Sequence, residues 1–266
     1  MSFWQSICII VLLQKQTMKK LFFAAASVAI IISSCDVNKA LDQVNKGIAT
    51  VNTGVGAPGL TTDEIVKALK DALTQGTNKS TSLASQVDGF NKNPKIHIPF
   101  PPAVQNVKDW AVKFGLQGQI DKFEETLNRA AEEAAKGAAP IFVNAVTSMS
   151  ISDALGILKG TDTSATHYLR TTCTAPLNVK FKPTVHNATQ KVELTKYWTP
   201  IMNGYNKVPG HSPANPDLDQ YVCDRGVDGL FKLIGDEETK IRIDPMARAT
   251  EIMKKVFGSK DNPHNK

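Results

Sequence analysis

The chain has 266 residues, 42% hydrophobic and 21% charged, an ordinary globular composition with room for one domain and a continuous core once a leader and a tail are set aside. The formal charge of +6 overstates its basicity: without the leader lysines Lys15, Lys19 and Lys20, 28 basic residues face 25 acidic ones from Cys35 onward, a net of +3. These charges are interleaved, as in "KFEETLNRAAEEAAK", so the sequence offers neither the concentrated basic face nor the aromatic platforms of a nucleic-acid-binding protein.

In chain order the first element is a leader, residues 1–34. Met18-Lys19-Lys20 is a short positive region, Leu21–Ile32 is apolar or small throughout, and Ile32-Ser33-Ser34 places small residues before Cys35. This is the layout of an export signal, and its apolar part is short of the ~20 residues that cross a bilayer. Ile-Ser-Ser-Cys resembles the bacterial lipobox. The resemblance implies cleavage after Ser34, a diacylglycerol thioether on Cys35, and a membrane partner held through that lipid. The alternative is a plain secretory leader with an incidental cysteine. Residues 1–17 contain a second short apolar run, Phe3–Leu13, and Met18 is the expected translation start, with a tandem leader as the alternative.

Residues 35–60 read as lipidated N-terminus and spacer. Val37, Leu41, Val44, Ile48, Val51 and Val55 recur at spacings of four and three, an a/d seam. Fewer than three heptads favour a spacer helix packed on its own domain over an independent coiled coil. Pro58 and the glycines from Gly54 to Gly59 end it.

A helical domain spans 61–258. Thr61 and Glu64 have capping-box spacing, and Ile65, Leu69, Leu73 and Leu83 mark a stripe. "NPKIHIPFPP" reads as an extended connector lying on the core, with His97 turned outward. Helical stripes follow: Val104, Val107, Trp110, Ala111 and Phe114, stopped by Gly115; Ile120, Phe123, Leu127, Ala131 and Ala134; Phe142, Ala145 and Met149 after Pro140; then Leu155 and Leu158 after Ser150 and Asp153. Asp162 or Thr163 is expected to cap a helix through Leu169, Leu177, Phe181 and Val185, with Pro183 a kink or boundary. Tyr197, Trp198, Ile201, Met202 and Tyr205 form an aromatic face, and residues 206–217 a loop. A stripe from Leu218 to Ile234 comes next, with Asp236 and Asp244 as caps. Pro245 is expected to open a final helix burying Met246, Ala249, Met253, Val256 and Phe257, and 259–266 to be a disordered tail. No alternating strand runs occur, so the expected fold class is all-α, one domain of about eight to ten helices.

"GFNKNPKIHIPFP", "LNRAAEEAAKGAAPIF", "SDALGILKGTDTSATHYLR", "YVCDRGVDGLFKLIGDEETKIRIDP" and terminal "KKVFG" together resemble the bacterial family called domain of unknown function 4197, from about Leu60 to Gly258. The resemblance implies helical envelope lipoproteins with no established activity or catalytic residues. Cys223 and Leu169 depart from the family's usual Thr and Phe, which implies that Cys223 is not a family-wide functional thiol.

Few residues suggest chemistry. Arg129 lies three and four positions before Glu132 and Glu133, so on a helix they can pair. Turned inward, Arg129 could hold an anionic ligand and Glu132 act as a base; a structural ion pair is the plainer reading. "KGTDTSATHYLR" places hydroxyls at a helix start, which can bind phosphate or carboxylate, although Thr163 and Ser164 also serve simply as caps. The five histidines lack metal-ligand spacing, no nucleophile elbow occurs, and no cofactor is expected. Cys173 and Cys223 could pair in an oxidising envelope; two buried free thiols are the favoured alternative.

The leading expectation is a lipid-anchored protein of the bacterial envelope, facing periplasm or cell surface. It would bind a small molecule or protein partner through Asn128, Arg129, Glu132, Tyr168 and Arg242. The alternative is an envelope hydrolase using Glu132 or Asp153 as general acid/base.

Overall fold

The structure is a computed structural model that describes residues 59–190, 193–210, 216–260 and 262, with 193–195 as backbone only. The expected leader, Met18, Cys35 and the spacer seam lie outside the described residues, which all belong to one compact unit, Thr53–Lys266. Among the described residues there are nine α-helices, two 3-10 turns and no strand, as the apolar periodicity predicts.

Helix α1, Thr62–Ser85, starts at the expected capping box: Thr61 Oγ1 accepts from the Glu64 N–H at 3.2 Å and the Glu64 carboxylate from the Thr61 N–H at 2.9 Å. Its core face carries Ile65, Leu69 and Leu73 and then narrows to Gly76, Thr77, Ser80 and Ala84, while Leu83, expected inside, is exposed. Leu83 follows Leu73 by ten residues, which on a helix of 3.6 residues per turn points it away from the stripe. The chain reverses at Asp88, whose φ of 68° is left-handed, and Gly89, where any Cβ would strike the Leu83 carbonyl. The connector then lays Ile96, Ile98 and Phe100 into the core, with Pro99 exposed and His97 half-buried.

A 3-10 turn at Pro102–Val104 leads into α2, Gln105–Lys113, which Gly115 ends at φ 77°. Phe114 is exposed yet stacks on Trp110, their centroids 4.9 Å apart. Helix α3, Gln117–Ala135, crosses the core, and α4, Ala139–Thr147, and α5, Ile151–Lys159, follow at a 104° bend. No single helix among the described residues is long and apolar enough to cross a membrane; α4 and α5 meet that test only as a bent pair, and they pack on α1 and α6.

Helix α6, Ser164–Gln190, is central, touching α3, α4, α5, α7 and α8. Apart from Thr166, its buried positions, Ala165, Leu169, Cys173, Leu177, Phe181, Val185 and Thr189, repeat every four residues. Each step overshoots one turn by ~40°, so the stripe winds around the axis and meets a different neighbour as it goes. The helix continues through Pro176 and also through Pro183, where a kink or boundary was expected. Both prolines are exposed, as are Thr172 and Val179, whose carbonyls the prolines leave without a helical donor, so water can serve them.

Helix α7, Glu193–Tyr205, lays Trp198 flat on Phe123 at 4.7 Å and against Phe100 at 5.8 Å. Helix α8, Leu218–Ile243, makes its largest contact with α6 and runs uninterrupted through Asp236, which therefore caps nothing. The final helix also differs from expectation. Pro245–Ala247 form only a 3-10 turn capped by Asp244, Met246 is 91% exposed, and α9, Glu251–Phe257, begins at a Thr250 cap. The Thr250 hydroxyl accepts the Met253 N–H at 3.2 Å, and Met253, Val256 and Phe257 then face the core. The segment expected to be a loose tail is packed at Asn262, whose buried amide donates to the Arg242 and Phe257 carbonyls at 2.9 and 2.7 Å.

Candidate functional site

Three of the five residues expected at a binding site, Asn128, Arg129 and Glu132, sit on α3 against the reversal that follows α1. Glu132 is buried; its Oε1 accepts from the Phe90 and Asn91 N–H groups, both at 3.1 Å, and its Oε2 from Arg129 at 2.8 Å. Arg129 continues to Asp88 at 2.7 Å and to Glu125 at 3.5 Å. The hydrogen bond from Arg129 to Glu132, with the nearby Asp88, holds the guanidinium charged beyond its already high range. Lys92, then Asn91 and Arg129, hold Asp88 well below the usual carboxylate range. Asn128 is fully buried and binds Ile98 as a neighbouring strand would: its carbonyl accepts the Ile98 N–H and its amide donates to the Ile98 carbonyl, each at 2.8 Å. Arg129 is half-buried rather than turned fully inward, and the anions it meets are the chain's own. Glu133 pairs instead with Lys136.

Tyr168 and Arg242 belong to other networks. Tyr168, on α6, donates to the Ala145 carbonyl of α4 at 3.2 Å, and burial raises its phenol above the usual value. Arg242 is 1% exposed; it donates to Glu238 on its own helix and to the Ile157 carbonyl at the end of α5 at 2.8 Å. Glu238 in turn accepts the Ala165 N–H at 2.9 Å, the Thr166 N–H at 2.7 Å and the Thr166 hydroxyl at 2.8 Å. The oxyanion at the start of α6 is thus Glu238, which supplies the negative charge that a helix N-terminus attracts. The sequence reading missed Glu238, although its i,i+4 spacing to Arg242 is the signal of a pair.

Asp153, the alternative hydrolytic acid, is exposed and forms a capping box with Ser150, accepting its N–H at 3.1 Å and its hydroxyl at 2.6 Å. Cys173 and Cys223 are free and buried on α6 and α8, and burial pushes both thiols up to about 11. Among the described residues no group of three or more His, Cys, Asp or Glu is arranged to hold a metal ion.

Three cavities stand out. One, of about 30 Å³, lies among Leu69, Leu73, Ile234 and Phe257 beside the Glu238–Arg242 pair, and it has room for little more than water. An open groove of about 430 Å³ runs past Lys122, Glu125, Arg129 and Tyr197. A second, of about 470 Å³, lies between α6 and α8 and is lined by Lys95, Arg170, Lys232 and three threonines. The Arg129 groove holds two cations, one of them already shared among three carboxylates. The second groove carries more uncommitted positive charge, and no reading of the sequence alone brought its residues together.

No curated protein and no solved structure matches the chain. The sequence profile of the family described as protein of unknown function (DUF4197) matches residues 59–258, from the turn before α1 to the glycine that ends α9. The helices just described fill that span, and the chain belongs to this family.

Proposed function

We propose that the protein is a lipid-anchored component of the bacterial envelope that binds a ligand or partner and catalyses no reaction. The anchoring rests on the order of positive, apolar and small residues ahead of Cys35. A cysteine carrying two or three acyl chains anchors durably, whereas a single chain binds only marginally.

The observation that carries the non-enzymatic part is the engagement of the two candidate acids. Three donors from the chain itself engage the buried Glu132 carboxylate, and Asp153 pins the start of its own helix. A general acid or base must be free to meet a substrate, and both carboxylates spend their oxygens on donors within the chain.

Protein purified from its own cells tests both parts by mass spectrometry. The N-terminal peptide is expected to begin at Cys35 and carry the mass of a diacylglyceryl group; an intact leader or an unmodified sulfur refutes the anchor. Under native conditions the protein is expected to retain a small molecule or partner. A bare chain from every preparation refutes the binding reading.

A further inference from the structure

We propose that the groove between the first turns of α6 and the C-terminal half of α8 binds a phosphate-type oxyanion. This deepens the binding reading above, on which it rests, by naming the ligand's chemical class and its place.

The groove gathers three cations, of which the fold pairs two, Lys95 with Asp236 and Arg170 with Asp228. Lys95, Arg170 and Lys232 line one open cavity of about 470 Å³, and Asp236 is the only acid lining it. Lys232 is exposed and has no ion-pair partner among the described residues. Arg170 donates through one terminal nitrogen to Asp228 at 2.7 Å, and its guanidinium lies over the Phe231 ring at 4.6 Å. A guanidinium has five N–H donors in a rigid fork, so stacking and one carboxylate fix the plane of Arg170 while most donors remain available. Lys95 is held toward the groove by Asp236. Thr163 and Thr239 add hydroxyls to the same wall, and neither side chain is hydrogen-bonded among the described residues.

The α6 N-terminus itself contributes nothing here, because Glu238 already holds the Ala165 and Thr166 N–H groups. The site rests on side-chain cations with hydroxyls between them. A fixed guanidinium beside an unpaired ammonium suits an anion with several oxygens and more than one negative charge, since each donor can take a different oxygen. Phosphate fits this description, either as a free phosphate or ester or as the headgroup of an anionic lipid.

The full-length chain and its variants Arg170→Gln and Lys232→Gln are titrated with inorganic phosphate by calorimetry, and circular dichroism confirms that each is folded. Both side chains are exposed, so the fold is expected to tolerate either change. Saturable binding that each variant weakens about tenfold, the loss of one charge-assisted hydrogen bond, supports the site with free phosphate as its source. Lys113→Gln, on α2 outside the groove, should leave the affinity unchanged.

In a second arm the Cys35→Ala chain, which cannot carry the proposed lipid, is floated with phosphatidylglycerol or phosphatidylcholine vesicles, and the groove variants are made in the same background so that any binding through the leader is common to all. Binding to the former alone, lost in the two groove variants, assigns the headgroup instead. No saturable binding in either arm, or binding that both variants retain, overturns the site. A ligand found by native mass spectrometry and retained by both variants would uphold the broader binding reading and remove this groove from it.

Discussion

At the scale of single residues, the polar groups that looked most like a binding site hold the chain's own backbone. Asn128 replaces a missing strand partner for Ile98, and Glu132 gathers the Phe90 and Asn91 N–H groups. Each is buried, and a buried backbone group left without its partner costs about 1–3 kcal/mol. The sequence showed that Arg129 and Glu132 could pair, because that is a property of one helix. It could not show that a turn more than forty residues earlier would come to meet them. Asp88 gives this arrangement a measurable pH dependence. Its lowered carboxylate pKa stabilises the fold above the unfolded value of ~3.9, and that contribution is lost as pH falls through the folded value. Asp88→Asn tolerates the left-handed backbone and removes only the charge. In urea unfolding across a pH series, the stability gap between wild type and Asp88→Asn is expected to be constant above about pH 5 and to narrow progressively below about pH 4. A gap of the same size at pH 3 would exclude Asp88 ionisation as its source.

At the scale of elements, two glycines on packed helices predict opposite outcomes for the same substitution. Alanine is favoured over glycine inside a helix by about 1 kcal/mol wherever the added methyl has room. At Gly76 on α1 the new Cβ would meet the Glu237 Cβ at 3.6 Å, an ordinary contact. Gly76→Ala is therefore expected to stabilise by about 0.5–1 kcal/mol in chemical denaturation. At Gly229 on α8 it would come within 2.7 Å of the buried Phe90 ring and 3.2 Å of Ile96. Gly229→Ala is expected to destabilise by about 1–3 kcal/mol, because overpacking outweighs propensity. Helix starts with local caps, at Thr61 and Ser150, were legible because donor and acceptor lie three residues apart. The start of α6 at Ser164 follows the expected Asp162 or Thr163, but the anion that holds its N–H groups, Glu238, was not legible, because it comes from more than seventy residues downstream. The continuation of α6 through Pro183 was hidden for a related reason: a proline's cost depends on whether water reaches the carbonyl it frees, and exposure is set by the packing.

At the scale of the whole molecule, α6 and α8 form the centre, and each buries one free thiol. Burial holds Cys173 and Cys223 at about 11, so at pH 8 both are protonated as well as sheltered. Neither is expected to react with iodoacetamide at pH 8 in the folded protein, and both are expected to react fully in concentrated guanidinium, as peptide mapping would read. Rapid labelling of either thiol without denaturant would contradict the burial that places it in the core. The sequence by itself determined the helical class, the two capping boxes, the apolar alternation of Ile96, Ile98 and Phe100, and the family, because periodicity and short-range spacing act within a few residues. Only the tertiary structure decided that Glu132 and Glu238 serve as internal ligands, that Asn262 is packed, and that three cations distant in sequence share one groove. Those outcomes depend on which helix faces lie together, and a pattern with a period of 3.6 says which face is apolar without saying what it will meet.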